Sequence, residues 1–185
     1  MSTRPTKDQL AAAHNATIPD VIAPGLDVLF CGINPGLYTA AVGHHFARPG
    51  NRFWPTLYAS GFTDRLLTAF DERELLKLGY GITNVVSRTT ASADLLSKDE
   101  MIKGGERLRK KVARYRPRIL AVLGVGTYRV AFNQSKAKVG RQIERIGNTI
   151  VWVLPNPSGL NANYQMKDLT KLFIELREQA ELLDR

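Results

Sequence analysis

Short apolar runs that alternate with helical patterns constrain the fold of this chain more than any other feature. Helical spacing or capping signals occur in residues 51–60, 72–78, 97–115, 125–132 and 166–183, and strand-like apolar runs occur in residues 27–33, 81–86, 119–123 and 149–154. Strands that alternate with helices favour a parallel sheet that is covered on both faces. We therefore predict an α/β fold of three layers, with a central, mainly parallel sheet between two layers of helices.

The length of 185 residues and a hydrophobic fraction of 44% fit one globular domain. Residues 1–20 are polar and alanine-rich, and we expect them to form a flexible arm with one short helix at residues 8–14, ahead of a single domain at residues 21–185. The sequence contains no apolar run that would span a bilayer and no apolar stretch typical of a secretory signal. We expect a cytoplasmic monomer without a membrane partner.

Charge and cysteine content narrow the classes of partner and cofactor. The formal net charge is +9, from 26 Lys and Arg against 17 Asp and Glu, which favours a polyanion such as nucleic acid. The single cysteine, Cys31, lies in an apolar run, and we expect a buried thiol. One cysteine cannot make a zinc or iron–sulfur site, and we expect no metal and no cofactor. The neighbouring His44 and His45 are expected to contact DNA or to be exposed.

Two loops that follow apolar runs share an unusual composition. The first loop, residues 32–36, reads Gly-Ile-Asn-Pro-Gly, and the second loop, residues 156–160, reads Asn-Pro-Ser-Gly-Leu. Either loop alone is typical of an ordinary turn. In parallel sheets, however, ligands bind outside the carboxyl ends of the strands, which is where both loops are expected to lie. The pair therefore favours a functional site.

These two loops resemble the paired motifs of the mismatch-specific uracil/thymine-DNA glycosylases, which belong to the uracil-DNA glycosylase superfamily. Two further segments resemble the bacterial, double-strand-specific branch of this family, namely Phe46-Ala47-Arg48-Pro49 and Asn51-Arg52-Phe53-Trp54. The resemblance extends from about residue 23 to the terminal helix. It implies a uracil-DNA glycosylase-like fold and excision of uracil, or of thymine and modified bases, from mismatches with guanine in double-stranded DNA, leaving an abasic site.

The resemblance also implies roles in the pocket for the flipped base. Asn34 would position the attacking water, because an amide cannot act as a general base. Phe46 would stack on the base, and backbone N–H groups near Ile33 would receive its charge, while Gly36 allows a close approach of the backbone. Asn156 would hydrogen-bond in the pocket of the flipped nucleotide or hold its phosphate. The remaining predicted contacts to the substrate are Asn84 and Ser158.

The duplex itself would be contacted by the second loop and by arginines. Gly159 and Leu160 would enter the gap left by the flipped base, with Leu160 as an apolar wedge. The family often has an arginine shortly after this leucine, where this chain has Asn161-Ala162-Asn163, so backbone groups of the second loop would have to read the widowed guanine. The predicted phosphate contacts are Arg48, Arg52 and Arg88.

Asp94, in the polar loop at residues 87–97, is a second candidate for catalysis. A carboxylate there would activate water in a way that Asn34 cannot, and the alternative is a solvated loop aspartate or a local cap. Two competing functions are a non-catalytic nucleic-acid-binding α/β domain and a nucleotide-binding α/β enzyme. The second is disfavoured because the chain lacks both a Gly-rich dinucleotide fingerprint and a Gly-Lys-Ser/Thr phosphate loop.

Overall fold

A computed structural model describes residues 4–183, and in this part of the chain five strands form one sheet between two layers of helices. The strand order across the sheet is β2-β1-β3-β5-β4, with β4 antiparallel to β5 and every other pair parallel. This confirms the predicted α/β fold with a mainly parallel sheet. The strands are β1 (Val28–Gly32), β2 (Tyr80–Asn84), β3 (Ile119–Leu123), β4 (Gly140–Ile146) and β5 (Thr149–Leu154).

In residues 4–183, six α-helices and two 3₁₀ segments precede, connect or follow the strands. None of the helices in the described residues is long and apolar enough to cross a membrane. The 3₁₀ segments are Ala69–Leu78 and Ala93–Leu95. The helices are α1 (Lys7–Ala12), α2 (Leu37–Val42), α3 (Phe53–Ala59), α4 (Lys98–Tyr115), α5 (Val125–Ala131) and α6 (Met166–Leu182).

Local signals located most of these elements. The capping box predicted before α4 is present, because Ser97 Oγ accepts from the N–H of Glu100 and the Glu100 carboxylate accepts from the N–H of Ser97. The sequence did not predict α2 or β4. Strand β4 lies at the sheet edge and alternates between half-buried and exposed residues, so it lacks the apolar run that marks the inner strands. The helix predicted at residues 72–78 is a 3₁₀ segment.

The core lies on both faces of the sheet. On one face, Phe30 of β1 makes edge-to-face contacts with Phe53 of α3, and it stacks on Phe173 of α6 with ring centroids 6.0 Å apart. On the other face, Cys31 lies in the cluster formed with α4 and α5. Cys31 is fully buried, as expected, and burial raises the pKa of its thiol. The three inner strands β1, β3 and β5 are buried along their whole length.

The described part of the N-terminal arm packs along the side of the sheet that carries β2. Helix α1 begins at a capping box on Thr6, and Thr89 exchanges backbone hydrogen bonds with Asn15 and Ala16. Val21 then pairs with Ile82 of β2 in an antiparallel bridge. Residues 1–3 of the predicted arm and residues 184–185 of the predicted domain lie outside the described residues, and the flexibility of the arm stays a prediction.

Candidate active site

A cleft of about 430 Å³ opens at the carboxyl ends of β1, β2 and β5. Both loops line it, together with the segment at residues 90–94. Its lining contains most of the predicted site residues, namely Ile33, Asn34, Gly36, Phe46, Arg48, Asn84, Asp94, Asn156, Ser158 and Leu160. It does not include Gly159, Arg52 or Arg88. A larger cavity of about 790 Å³ contains none of the predicted site residues and lies at the other edge of the sheet, beside the start of β3 and β5.

The amide of Asn34 is held in one orientation by the neighbouring segment. Its Nδ2 donates to the carbonyl of Arg88 at 2.9 Å and to Thr90 Oγ1 at 2.8 Å. The Thr90 hydroxyl donates its only proton to the carbonyl of Ser92, so it can only accept a hydrogen bond from Asn34. Both partners therefore require the N–H side of the amide. Within the described residues no donor reaches Asn34 Oδ1, which is left as a hydrogen-bond acceptor on a residue that lines the cleft.

Phe46 and Asn84 form another wall of the same cleft. Phe46 has a positive φ of 54°, uncommon for a bulky residue, and its ring stacks on Phe53 with centroids 4.1 Å apart. Gly32 lies against the same wall, since a Cβ on it would come within 2.5 Å of Asn84 Oδ1 and 3.3 Å of Phe46 Cζ. Glycine is therefore favoured at position 32 by close contact with side chains of this wall, whereas its backbone conformation does not require it.

His45 supports this wall from behind, and the expectation that it is exposed was wrong. The residue is only 2% exposed, and Nε2 donates to the carbonyl of Pro19 at 2.9 Å. Its Nδ1 is then the acceptor for Asn84 Nδ2 at 3.5 Å. Burial is the main cause that lowers the pKa of His45, which favours the neutral ring. His44 pairs with the buried carboxylate of Glu72. No local sequence signal distinguishes a buried histidine from an exposed one here.

The second loop folds back on itself. Asn156 Oδ1 accepts from the N–H of Ser158 at 3.1 Å, and Ser158 Oγ accepts from the N–H of Leu160 at 3.2 Å. Leu160, at the tip of the loop, is 76% exposed. Because Asn156 Oδ1 is occupied, the amide offers its N–H group, for which the described residues provide no acceptor. Asn34 and Asn156 thus present opposite ends of the same side chain.

Two of the three predicted phosphate contacts have partners inside the protein. Arg88 pairs with Glu100 through two hydrogen bonds of 2.8 and 3.1 Å and also reaches Asn15 Oδ1. The Arg88 guanidinium holds the pKa of Glu100 at about 2. Arg52 donates to backbone carbonyls after β5. Of the three arginines, only Arg48 is exposed and lines the cleft. The phosphate contacts of all three stay predictions.

Asp94 lies in the short 3₁₀ segment Ala93–Leu95 and lines the cleft. The residue is exposed, and within residues 4–183 its carboxylate makes no hydrogen bond or ion pair. The cleft therefore contains a carboxylate on its exposed side and an anchored amide on the side of the first loop. In the described part of the chain, no cluster of three or more His, Cys, Asp or Glu residues is placed to hold a metal.

The sequence was compared with models of known protein families. The model described as the Uracil DNA glycosylase superfamily matches residues 19–179. This range includes β1 to β5, both loops and all the residues that line the cleft. The match therefore covers the fold and the candidate active site together. The chain belongs to the uracil DNA glycosylase superfamily, whose members are DNA glycosylases that act on uracil.

Proposed function

We propose that this protein is a monofunctional glycosylase that flips uracil out of a mismatch with guanine in duplex DNA and hydrolyses its glycosidic bond. The observation that carries the proposal is the opposite presentation of two amides in one cleft. Asn34 offers Oδ1, which can orient a water, and Asn156 offers an N–H group, which can bind the departing base. A hydrolysis in which the base leaves as an anion needs both.

The chemistry follows from what these groups can do. The bond between C1′ and the base nitrogen breaks with its electron pair going to the base, and the water oxygen bonds to C1′. Asn34 orients that water but cannot take its proton, which passes to solvent, and the departing base anion takes up a proton from solvent. Within the described residues no lysine lines the cleft, so there is no amine to attack C1′ in place of water. This supports a monofunctional hydrolase, in which transition-state stabilisation comes mainly from hydrogen bonds to the leaving base.

The preference for a mismatch rests on the cost of base flipping. A base must leave the duplex stack to reach a cleft at the carboxyl ends of the strands. The free-energy cost of this flipping is lowest, within duplex DNA, at a mismatch. The exposed Leu160 is suited to fill the gap in the duplex. Phe46 would stack on the flipped base with the part of its ring that lines the cleft, and Arg48 would contact a phosphate beside it.

Asp94 remains a proposed second catalytic group. Its exposed carboxylate would accept a proton from water that Asn34 orients, which an amide cannot do. Asp94→Asn keeps the shape and removes the base, so a slower reaction of this variant would support the role. An unchanged rate for both Asp94→Asn and Asp94→Ala would remove it.

The test of the whole proposal is an excision assay on matched oligonucleotides. Duplexes with one G·U, G·T or A·U pair, and the single strand with uracil, are incubated with the protein and then cleaved at abasic sites with hot alkali. We expect cleavage at uracil, fastest for the G·U duplex. A gel shift without any abasic product would instead favour a non-catalytic nucleic-acid-binding domain. Equal rates for G·U and A·U would retain the glycosylase and refute the mismatch preference.

A further inference from the structure

Arg52 has an unusual set of partners for a residue predicted to contact phosphate. Nη1 donates to the carbonyl of Tyr164 at 2.6 Å, and Nη2 donates to the carbonyls of Ser158 at 2.7 Å and Asn161 at 3.0 Å. Its backbone N–H donates to the carbonyl of Pro157 at 2.9 Å. No carboxylate pairs with Arg52 in the described residues. One residue therefore makes four hydrogen bonds to the backbone of residues 157–164.

The second loop has little else to hold its tip in place. Its residues Gly159 and Leu160 are exposed, and its side-chain hydrogen bonds join it to itself or to the adjoining Asn161. Its other close approach is to the segment that carries Arg52, because a Cβ on Gly159 would lie 2.5 Å from the carbonyl of Gly50. The guanidinium is thus the main polar link between the loop tip and the rest of the fold.

We propose that Arg52 is a positioning residue that holds the second loop rigid, so that Leu160 is already in place when it enters the duplex. The inference rests on the proposed function, because it assigns a step of base flipping. A planar guanidinium can reach three carbonyls at once, and a lysine ammonium of the same charge cannot match this fork geometry. A wedge that is ordered before binding avoids the entropic cost of ordering it on the DNA.

The variant Arg52→Lys distinguishes this role from a phosphate contact, since it keeps the charge and removes the fork. We expect faster amide hydrogen exchange in residues 158–164 of the DNA-free protein, and about tenfold slower single-turnover excision from a G·U duplex. The loss on single-stranded uracil DNA should be smaller, because no wedge is needed there. Arg129→Lys is the matched control, because Arg129 also donates twice to a carbonyl, that of Ala137, and does not line the cleft.

Two further measurements make the test specific. In the Leu160→Ala background, Arg52→Lys should slow duplex excision by less than about twofold, because Arg52 would act through the wedge that is already lost. The salt dependence of binding to undamaged duplex should keep its slope in Arg52→Lys and Arg52→Gln, whereas loss of a phosphate contact lowers the slope by about one. Thermal melting of each variant checks that it is folded.

The outcomes separate the two proposals. Unchanged hydrogen exchange in Arg52→Lys, an equal loss on duplex and single strand, or a lower salt slope in Arg52→Gln would each overturn the positioning role while leaving the glycosylase in place. If the wild-type protein excises no base, the proposed function fails. Hydrogen exchange in the DNA-free protein would then still decide whether Arg52 orders residues 158–164.

Discussion

The first and second loops share asparagine, proline and glycine, yet the protein uses them in opposite ways. The first loop is hydrogen-bonded to the segment that follows β2, since the backbone N–H groups of Val85 and Val86 donate to the carbonyls of Gly32 and Ile33. Its Asn34 side chain is anchored by another segment and presents an oxygen. The second loop turns its asparagine oxygen onto its own backbone and exposes an apolar tip. Similar local sequences therefore gain different chemistry from their tertiary partners.

The largest expected effect is at Asn34. Asn34→Ala removes the acceptor for water and should slow single-turnover excision about 100-fold on duplex and single strand alike. Asn34→Asp should not restore the rate, because a carboxylate would face two acceptors, the Arg88 carbonyl and Thr90 Oγ1. A near wild-type rate for Asn34→Asp would show that the anchoring hydrogen bonds are unimportant and would weaken the contrast between the loops.

Leu160 should show a smaller effect that is confined to duplex. Leu160→Ala removes the apolar wedge and should slow excision from a G·U duplex about tenfold, since flipping loses its stabilisation. The ratio of duplex to single-strand rates is the measurement. Should this ratio remain at the wild-type value, the second loop would not act as a wedge, whatever its exposure.

Glycine substitutions compare the packing of the two loops. In Gly159→Ala the new Cβ would meet the backbone carbonyl of Gly50 at 2.5 Å, whereas in Gly32→Ala it would meet the Asn84 side chain, which can move. We expect Gly159→Ala to lower the free energy of unfolding by about 1 kcal/mol and Gly32→Ala by less. Gly36→Ala has no atom within 4 Å of its Cβ and should change stability by less than about 0.5 kcal/mol. Urea unfolding gives the values, and the reverse order would contradict this comparison.

The smallest expected effect is a change of stability with pH, and it is confined to the wall formed by Phe46 and Asn84. Burial lowers the pKa of His45 below its ordinary 6.5, so the unfolded chain binds a proton that the folded protein does not. This contribution to stability is complete above about pH 6.5 and declines as the pH falls. The groups that face His45 are the Pro19 carbonyl, Glu72, Asp20 and His44. The second loop contains no titratable side chain, so it should not respond.

Urea unfolding of wild type and His45→Gln at pH 7.5 and 5.0 measures this contribution. Gln can still donate to the Pro19 carbonyl but does not titrate, so the wild type should lose more stability on acidification than the variant. Hydrogen exchange at residues 158–164 should be equally protected at both pH values once corrected for the intrinsic rate. Equal losses in the two proteins would mean that His45 is not the titrating group.

Some of the site was predictable because it depends on local order along the chain. Strands β3 and β5 were located from continuous apolar runs, and α4 from its capping box, since these signals involve neighbouring residues. The edge strand β4 gave no such signal because only alternate residues are partly buried. His45 and Thr90 were missed because their roles depend on Pro19, Asn84 and Asn34, which lie far away in sequence.

The sequence by itself determined the α/β class and the placement of two polar loops after buried strands, because periodicity and strand ends follow from local residue order. The tertiary structure decided which atoms those loops present. Asn34 offers an oxygen because Thr90 and the Arg88 carbonyl take its protons, and Arg52 holds a loop because three carbonyls lie within its reach. Hydrogen-bond direction depends on the partner across space, and no pattern along the chain contains that information.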